Sequence, residues 1–408
     1  MWIATLAIAA LYVGSTVLTP LYPIYRTTFG ISQLTVTIVY AIYVVGNLAV
    51  LFLFGRLSDQ LGRRVITLIS LALTLLSALV FLFADGSAGL LAGRAINGFA
   101  AGLGASALTA WIAELEPQKN RARAAVIASG GNLGGLALGG GVAGLFAQYL
   151  PNPLRTVFVL YAAVLIVASV LVLRIKETVA RKARSVADLD MRPRVGIPAE
   201  IRLQFVAPAC MAFAAFALGG FFAALTPSLM TQELHISNVA AIGGIVTLFF
   251  ACACLVAALS RGFASWTAMF SGAACVFPAV ALLIGAEAFR SMALLVVAGA
   301  VSGAAMSFSY RGSLQVVNEI APQDKRAEIV SSYLMVCYLG NSLPVLGVGL
   351  LATTLAPPTA HMIFGLVVAA LAATAILTGL AGRKRERPPD TTGASTGQGR
   401  HSTPARVN

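Results

Sequence analysis

Long uncharged apolar runs alternate along this chain with short polar segments. The runs lie near 3–25, 34–54, 65–84, 88–113, 122–150, 156–175, 203–232, 237–259, 264–286, 290–315, 327–356 and 359–381. Each is long enough for a bilayer-spanning helix, which needs about 20 apolar residues. None shows the short apolar–polar alternation of a β-barrel strand. The pattern therefore predicts an all-α membrane protein with twelve transmembrane helices in two six-helix, pseudo-symmetric bundles. Most connections are short. The exception is 176–202, charged and holding Pro193 and Pro198, which reads as a cytoplasmic linker between an N-terminal bundle (1–175) and a C-terminal bundle (203–382). The segment 383–408 turns basic and then rich in Pro, Ser, Thr and Gly, the composition of a disordered cytoplasmic tail.

Composition sharpens this picture. Of 408 residues, 58% are hydrophobic and only 11% charged, against about 25% charged in ordinary soluble domains. A water-soluble globule could not hide that much apolar surface. The five cysteines all fall inside apolar runs and read as small buried hydrophobes. No Lys or Arg precedes the first run, and no cleavage site follows it, so it is expected to be a retained span and not a signal peptide.

Charge placement sets the expected orientation. Of 28 Lys and Arg, only Arg26, Arg155 and Arg290 fall in loops of one face, and Arg94 falls within a span. The other 24 fall on the face that carries both ends of the chain. The positive-inside bias places that face, and both termini, in the cytoplasm of a cell (inner) membrane. The same placement accounts for the net charge of +13 without a nucleic-acid partner.

The two halves share a motif. Glu114-x-x-Pro117-Gln118-x-x-Arg121-Ala122 follows the fourth span, and Glu319-x-x-Pro322-Gln323-x-x-Arg326-Ala327 follows the tenth. Parallel repeats of this kind are a transporter design, with substrate bound between the halves near the bilayer midplane.

Between the second and third spans the chain reads Gly55-x-Leu57-x-Asp59-x-x-Gly62-Arg63-Arg64. This resembles the inner-loop signature of the major facilitator superfamily, with Gln60 where the family often has a basic residue. With the twelve spans and the repeat, the resemblance covers residues 1–382 and points to a drug- or metabolite-efflux-like branch. The two glycines suit a tight turn. Asp59 can pair with Arg63 or Arg64 and accept hydrogen bonds at a helix N-terminus. Such a cluster can hold the halves together in one state and release them in the other. The Glu114/Arg121 and Glu319/Arg326 spacings are also similar to a superfamily pattern and are expected to join this gating network. A topogenic basic loop is the plainer alternative.

Arg94 is the single basic residue well inside a span. Arg94-x-x-x-Gly98, followed by small residues, resembles the superfamily's fourth-helix motif, whose Arg is implicated in proton coupling or substrate binding. A structural clamp onto backbone carbonyls, or a side chain snorkelling to the surface, is the other possibility. In the fifth span Gly131, Gly135 and Gly139 form a smooth face for close packing. The run resembles the antiporter motif of the same family, with Gly140 in place of its Pro.

Polar candidates for coupling or substrate are Tyr22, Asn47, Asn97, Asn132, Tyr310 and Asn341, with Arg94. All 15 acids fall in loops, in the tail or at span ends, and His235 and His361 fall in outer loops. A membrane-embedded carboxylate for a cationic substrate is therefore missing, which favours neutral or anionic compounds. No nucleotide-binding run, selectivity filter or clustered acid–base set supports a pump, channel or enzyme. The expectation is a monomeric secondary transporter without cofactor. Its partners are a small-molecule substrate, protons and the lipid bilayer. Proton-coupled export by antiport is the first reading, and import or uniport of a sugar or organic acid the alternative.

Overall fold

The computed structural model describes residues 1–54, 57–179 and 195–386. Among these, twelve helices are long and apolar enough to cross a membrane, and there is no strand. They run Trp2–Phe29, Gln33–Leu53, Arg63–Leu82, Ser87–Leu115, Arg121–Tyr149, Pro153–Val172, Ala199–Glu233, Val239–Gly262, Ser265–Ala288, Met292–Ile320, Arg326–Leu351 and Pro357–Ala381. They are numbered first to twelfth span below. The face on which the first span begins and the twelfth ends is called the terminal face.

Local chemistry sets the span ends. Ser32, Asn120, Asn238 and Ser291 accept N–H bonds from Thr35, Arg123, Ala241 and Leu294, capping the second, fifth, eighth and tenth spans. Gly62 opens the third span at φ 107°, a conformation that a side chain would strain.

Buried apolar residues gather in two large clusters. One is built from the first six spans, around Leu11, Trp111 and Phe158. The other comes mainly from the last six, around Phe221, Phe249 and Phe364, and takes in Tyr40 and Ala137 from the second and fifth spans. Outside them Val164, Val167, Leu255 and Leu377 stay exposed. In water these would be liabilities; in hydrocarbon they face their preferred solvent.

The fifth span is packed on two sides by its glycines. A Cβ at Gly135 would come within 2.4 Å of the Ala9 carbonyl, and one at Gly139 within 2.4 Å of the Val13 carbonyl, both in the first span. On another side Gly140 and Gly144 meet Gly243 of the eighth span with similar closeness. The smooth face read from Gly131, Gly135 and Gly139 thus has the first span as its partner.

Two prolines change the winding. The first span turns from α to 3₁₀ over Thr19–Leu21, and the seventh is π-wound over Phe221–Leu225 and Leu229–Glu233. Both breaks surround a Leu-Thr-Pro run, Leu18-Thr19-Pro20 and Leu225-Thr226-Pro227. Proline lacks the N–H that an α-helix needs there. Pro344 lies inside the eleventh span without interrupting it.

Two expectations need correction. Helix extends to Glu386, so the four residues 383–386 are not part of an irregular tail. His361 does not sit in an outer loop. It is in a helix and only 5% exposed, and Glu287, at the end of the ninth span as expected, is only 9% exposed, because the ninth and twelfth spans pack together there. Gly55, Arg56, linker residues 180–194 and tail residues 387–408 lie outside the described residues.

Candidate functional site

On the terminal face Arg63 organises a polar cluster. Its guanidinium pairs with Asp59, donates to Glu114 Oε1 from Nη2 (2.8 Å) and Nε (3.2 Å), and donates to Ser58 Oγ (2.8 Å). Thr178 donates its hydroxyl to the same Glu114 carboxylate. Glu177, just after the sixth span, accepts the backbone N–H groups of Arg63 (3.0 Å) and Arg64 (3.2 Å) and so caps the third span. Partial burial pushes the Glu177 carboxyl up. The N–H groups of Val179, Arg64, Arg63 and Thr178 outweigh that and hold it below the usual carboxylate range. Glu177 was not singled out from the sequence. Only the third and sixth spans meeting in space identify it.

Arg121 does not join this cluster. It is exposed, and Glu114 turns to Arg63 instead. The neighbouring ion pair is Glu116–Arg123, 3.5 Å apart. In the second half, Glu319 accepts from the Ser265 hydroxyl, and Arg326 is exposed at the start of the eleventh span. The duplicated sequence motif therefore does not produce a duplicated ion pair.

Deeper in, several polar side chains share one level. Tyr12, Tyr43, Asn132 and Tyr338 lie ten to twelve residues from the terminal-face ends of the first, second, fifth and eleventh spans, and Tyr310 lies ten from that end of the tenth. At 1.5 Å per residue that is about 15–18 Å, near mid-bilayer. Tyr12 has Tyr43, Tyr310 and Tyr338 as electrostatic neighbours and Asn132 within hydrogen-bonding reach. Tyr12, Asn132, Tyr310 and Tyr338 are only half-buried at this depth. Such a layer, drawn from five spans of both halves, can stack against a ring and hydrogen-bond a polar substituent. Tyr12 was missed in the sequence because it sits in the middle of an apolar run. Its spacing to Tyr22 marks no common helix face.

Arg94 lies beyond this layer and is completely buried. It donates from Nη1 to the Ser15 carbonyl (2.9 Å) and from Nη2 to the Tyr22 hydroxyl (2.6 Å). Its guanidinium carbon stands 5.8–5.9 Å from the ring centres of Tyr22, Tyr40 and Tyr43. The switch to 3₁₀ winding leaves the Ser15 carbonyl free of a helical partner. Arg94 does not snorkel: it holds the first, second and fourth spans together. No carboxylate is paired with it among the described residues. The aromatic faces and oxygen dipoles carry its charge. Asn97 and Asn47 are buried nearby on the fourth and second spans, Asn97 Oδ1 and Asn47 Nδ2 without hydrogen-bond partners.

The two halves are tied on the side away from the terminal face. Tyr40 donates to Asn341 Oδ1 (3.1 Å), Thr247 to the Ala137 carbonyl (2.8 Å) and Thr19 to the Ala223 carbonyl (2.8 Å). Gln148 accepts the Val239 N–H (2.8 Å), and Ser228 bonds both Arg26 and Gln33. Among the described residues, the hydrogen bonds between the bundles all lie in this half of the molecule.

Residues 4–345 match the family model described as Major Facilitator Superfamily. The quinolone resistance protein NorA of Staphylococcus aureus (strain N315) is 26% identical over 143 residues, 34% of this chain. That match spans about a third of the curated relative's length (36%). Among solved structures, a D-xylose-proton symporter superposes with a TM-score of 0.73 at 16% identity, covering 92% of this chain and 96% of that one. An inward-facing, unoccupied bacterial homolog of the human lysosomal transporter Spinster superposes at 0.69 and 16% identity, covering 96% and 98%. At these identities the two structures share the fold with this chain.

Proposed function

Because this chain belongs to the major facilitator superfamily, whose members are membrane transporters of small molecules, we propose that it exports a neutral or anionic organic compound in exchange for protons. The observation that carries this reading is Arg94. It is a buried cation with no partner acid among the described residues, set behind a mid-depth layer of tyrosines and amides contributed by both halves. A positive potential behind hydrogen-bonding aromatic walls favours anionic or neutral polar ligands and repels cations.

The terminal face is the cytoplasmic one in this reading, supported by the Lys and Arg bias. The bonds between bundles then seal the outer side, and the half-buried mid-depth layer opens inward. Closing the inner side falls to the Arg63 cluster, whose bonds described above join the first six spans and Glu177–Thr178. Alternating access exchanges the two sets of contacts. Likeness to a quinolone resistance protein over a third of the chain supports export.

The test is proton flux in proteoliposomes holding a pH-sensitive dye under an imposed pH gradient, with cationic, neutral and anionic compounds added in turn. Flux driven by a neutral or anionic class is expected, and its sign gives the direction of transport. Flux with cations alone sinks the substrate assignment.

A further inference from the structure

We propose that Glu287 and His361 form a proton-binding site of the C-terminal bundle, reached from the outer side, which acts on the outer seal through Phe221. His361 Nδ1 and Glu287 Oε1 are 2.8 Å apart, on the twelfth and ninth spans, and both side chains are buried. The pair lies close to the outer ends of its helices. Glu287 is one residue from the end of the ninth span and His361 four from the start of the twelfth. A proton has only about one helical turn to travel from the outer surface.

A buried imidazole beside a carboxylate holds a net charge of −1 when the imidazole is neutral. One proton on the ring converts that single buried charge into a neutral ion pair, so the two groups take up a proton as a unit. No competing charge lies in the outer halves of the helices around them. The tenth span has no ionisable residue before Tyr310, the eleventh none after Tyr338, and the seventh only Glu233 at its tip. The ninth and twelfth contribute none besides the pair, and Arg290 is exposed on the turn that leaves the ninth.

The route to the seal is short. The His361 ring packs edge-on with Phe221, centroids 5.4 Å apart and planes at 76°, and Phe221 in turn meets Phe364 at 5.0 Å. Phe221 opens the π-wound stretch of the seventh span, and two residues later the Ala223 carbonyl accepts the Thr19 bond from the other bundle. Charging the imidazole changes its interaction with the Phe221 ring and thereby biases the break in the seventh span. The proton site itself stands independently of the transport reading. Only its use as a coupling site rests on that reading.

The test uses full-length protein with ¹⁵N-labelled histidine in lipid nanodiscs, titrated by NMR. The chain has three histidines, and His361→Gln assigns the signal. Glu287→Gln is expected to change the proton affinity of His361 at least about tenfold, because the carboxylate paired with the ring is gone. Should Glu287→Gln fail to fold, Glu287→Asp, with the charge one methylene further back, is expected to give a smaller shift of the same sign. Hydrogen–deuterium exchange over 221–234, corrected for intrinsic pH dependence, should change across the midpoint in wild type and stay flat in His361→Gln. A His361 midpoint indifferent to Glu287, or no titration between pH 4 and 10, overturns the site. Equal exchange in both proteins overturns the link to the seventh span. Intact titration without proton flux in proteoliposomes would defeat the transport reading and leave the site standing.

Discussion

The hydroxyl of Thr19 donates across the molecule to the carbonyl of Ala223, 2.8 Å away. An α-helical N–H at position 227 would have used that acceptor, had 227 not been proline. The first bundle thus supplies the hydrogen bond that the second bundle's proline withholds. Its counterpart in the repeat, Thr226, is buried with its hydroxyl unpartnered. In the proposed cycle this bond exists only while the outer side is shut.

Thr19→Val should therefore favour opening of the outer side. Loss of one such bond is worth about 1 kcal/mol, a roughly fivefold change in population. Spin labels at the exposed positions Thr27 and Ser237, in a background without the five native cysteines, should show the longer-distance population grow. Thr19→Ser should restore the wild-type distribution.

Arg63 and Arg121 should separate sharply. Asp59→Asn and Arg63→Ala should each lower transport at least about tenfold without loss of membrane insertion, since each strips a partner from the bonded cluster. Arg121→Ala should stay within about twofold of wild type, because Arg121 is exposed and outside the Arg63 cluster, and exposed charges contribute little. Initial transport rates, normalised to inserted protein, decide it.

Arg94→Ala should abolish transport and also destabilise the fold, as it leaves the Ser15 carbonyl and the tyrosine ring cluster without their common donor. Arg94→Lys should keep part of the rate, since it retains the charge but not the fork of donors. Transport by Arg94→Ala at the wild-type rate would make the residue a clamp and nothing more.

Glu177 gives a pH signature outside the membrane. Its carboxyl is held below the ordinary value, so its contribution to stability is complete above the ordinary carboxylate range and is lost as pH falls through the lowered value. Thermal unfolding followed from pH 7 to pH 3 should show a decline that is smaller in Glu177→Gln.

The glycines of the fifth span should divide by face. Gly135→Ala drives a methyl into the Ala9 backbone and should cost about 1–3 kcal/mol, read as a lowered Tm. Gly134→Ala meets nothing within 4 Å and should be neutral or mildly stabilising.

The spans were legible because charge-free runs of bilayer length have few alternative uses, and their limits shifted by only a few residues in the structure. Arg94, Asp59 and Arg63 were also visible, each being an unusual residue in an otherwise uniform setting. Side chains that matter through a neighbouring helix were not. Glu177 reads as one more linker charge until it is seen capping the third span. His361 reads as a loop residue and Glu287 as one more outer-edge acid because each stands at the end of its own span, and only the packing of the ninth span on the twelfth buries them together. The motif shared by the two halves invited the opposite error: it carried over in sequence to Glu319 and Arg326 but not in bonding.

Where the fifth and eighth spans cross, Gly140, Gly144 and Gly243 bring main chain against main chain. Only Val246 and Thr247 reach into that contact with side chains, so few interlocked rotamers have to be released when one body turns against the other. The rocking proposed here then needs little rearrangement at its axle, and the resistance is concentrated in a few hydrogen bonds at the rim. In the proposed cycle, the stretch of the chain with the least chemical variety is the bearing on which the machine turns.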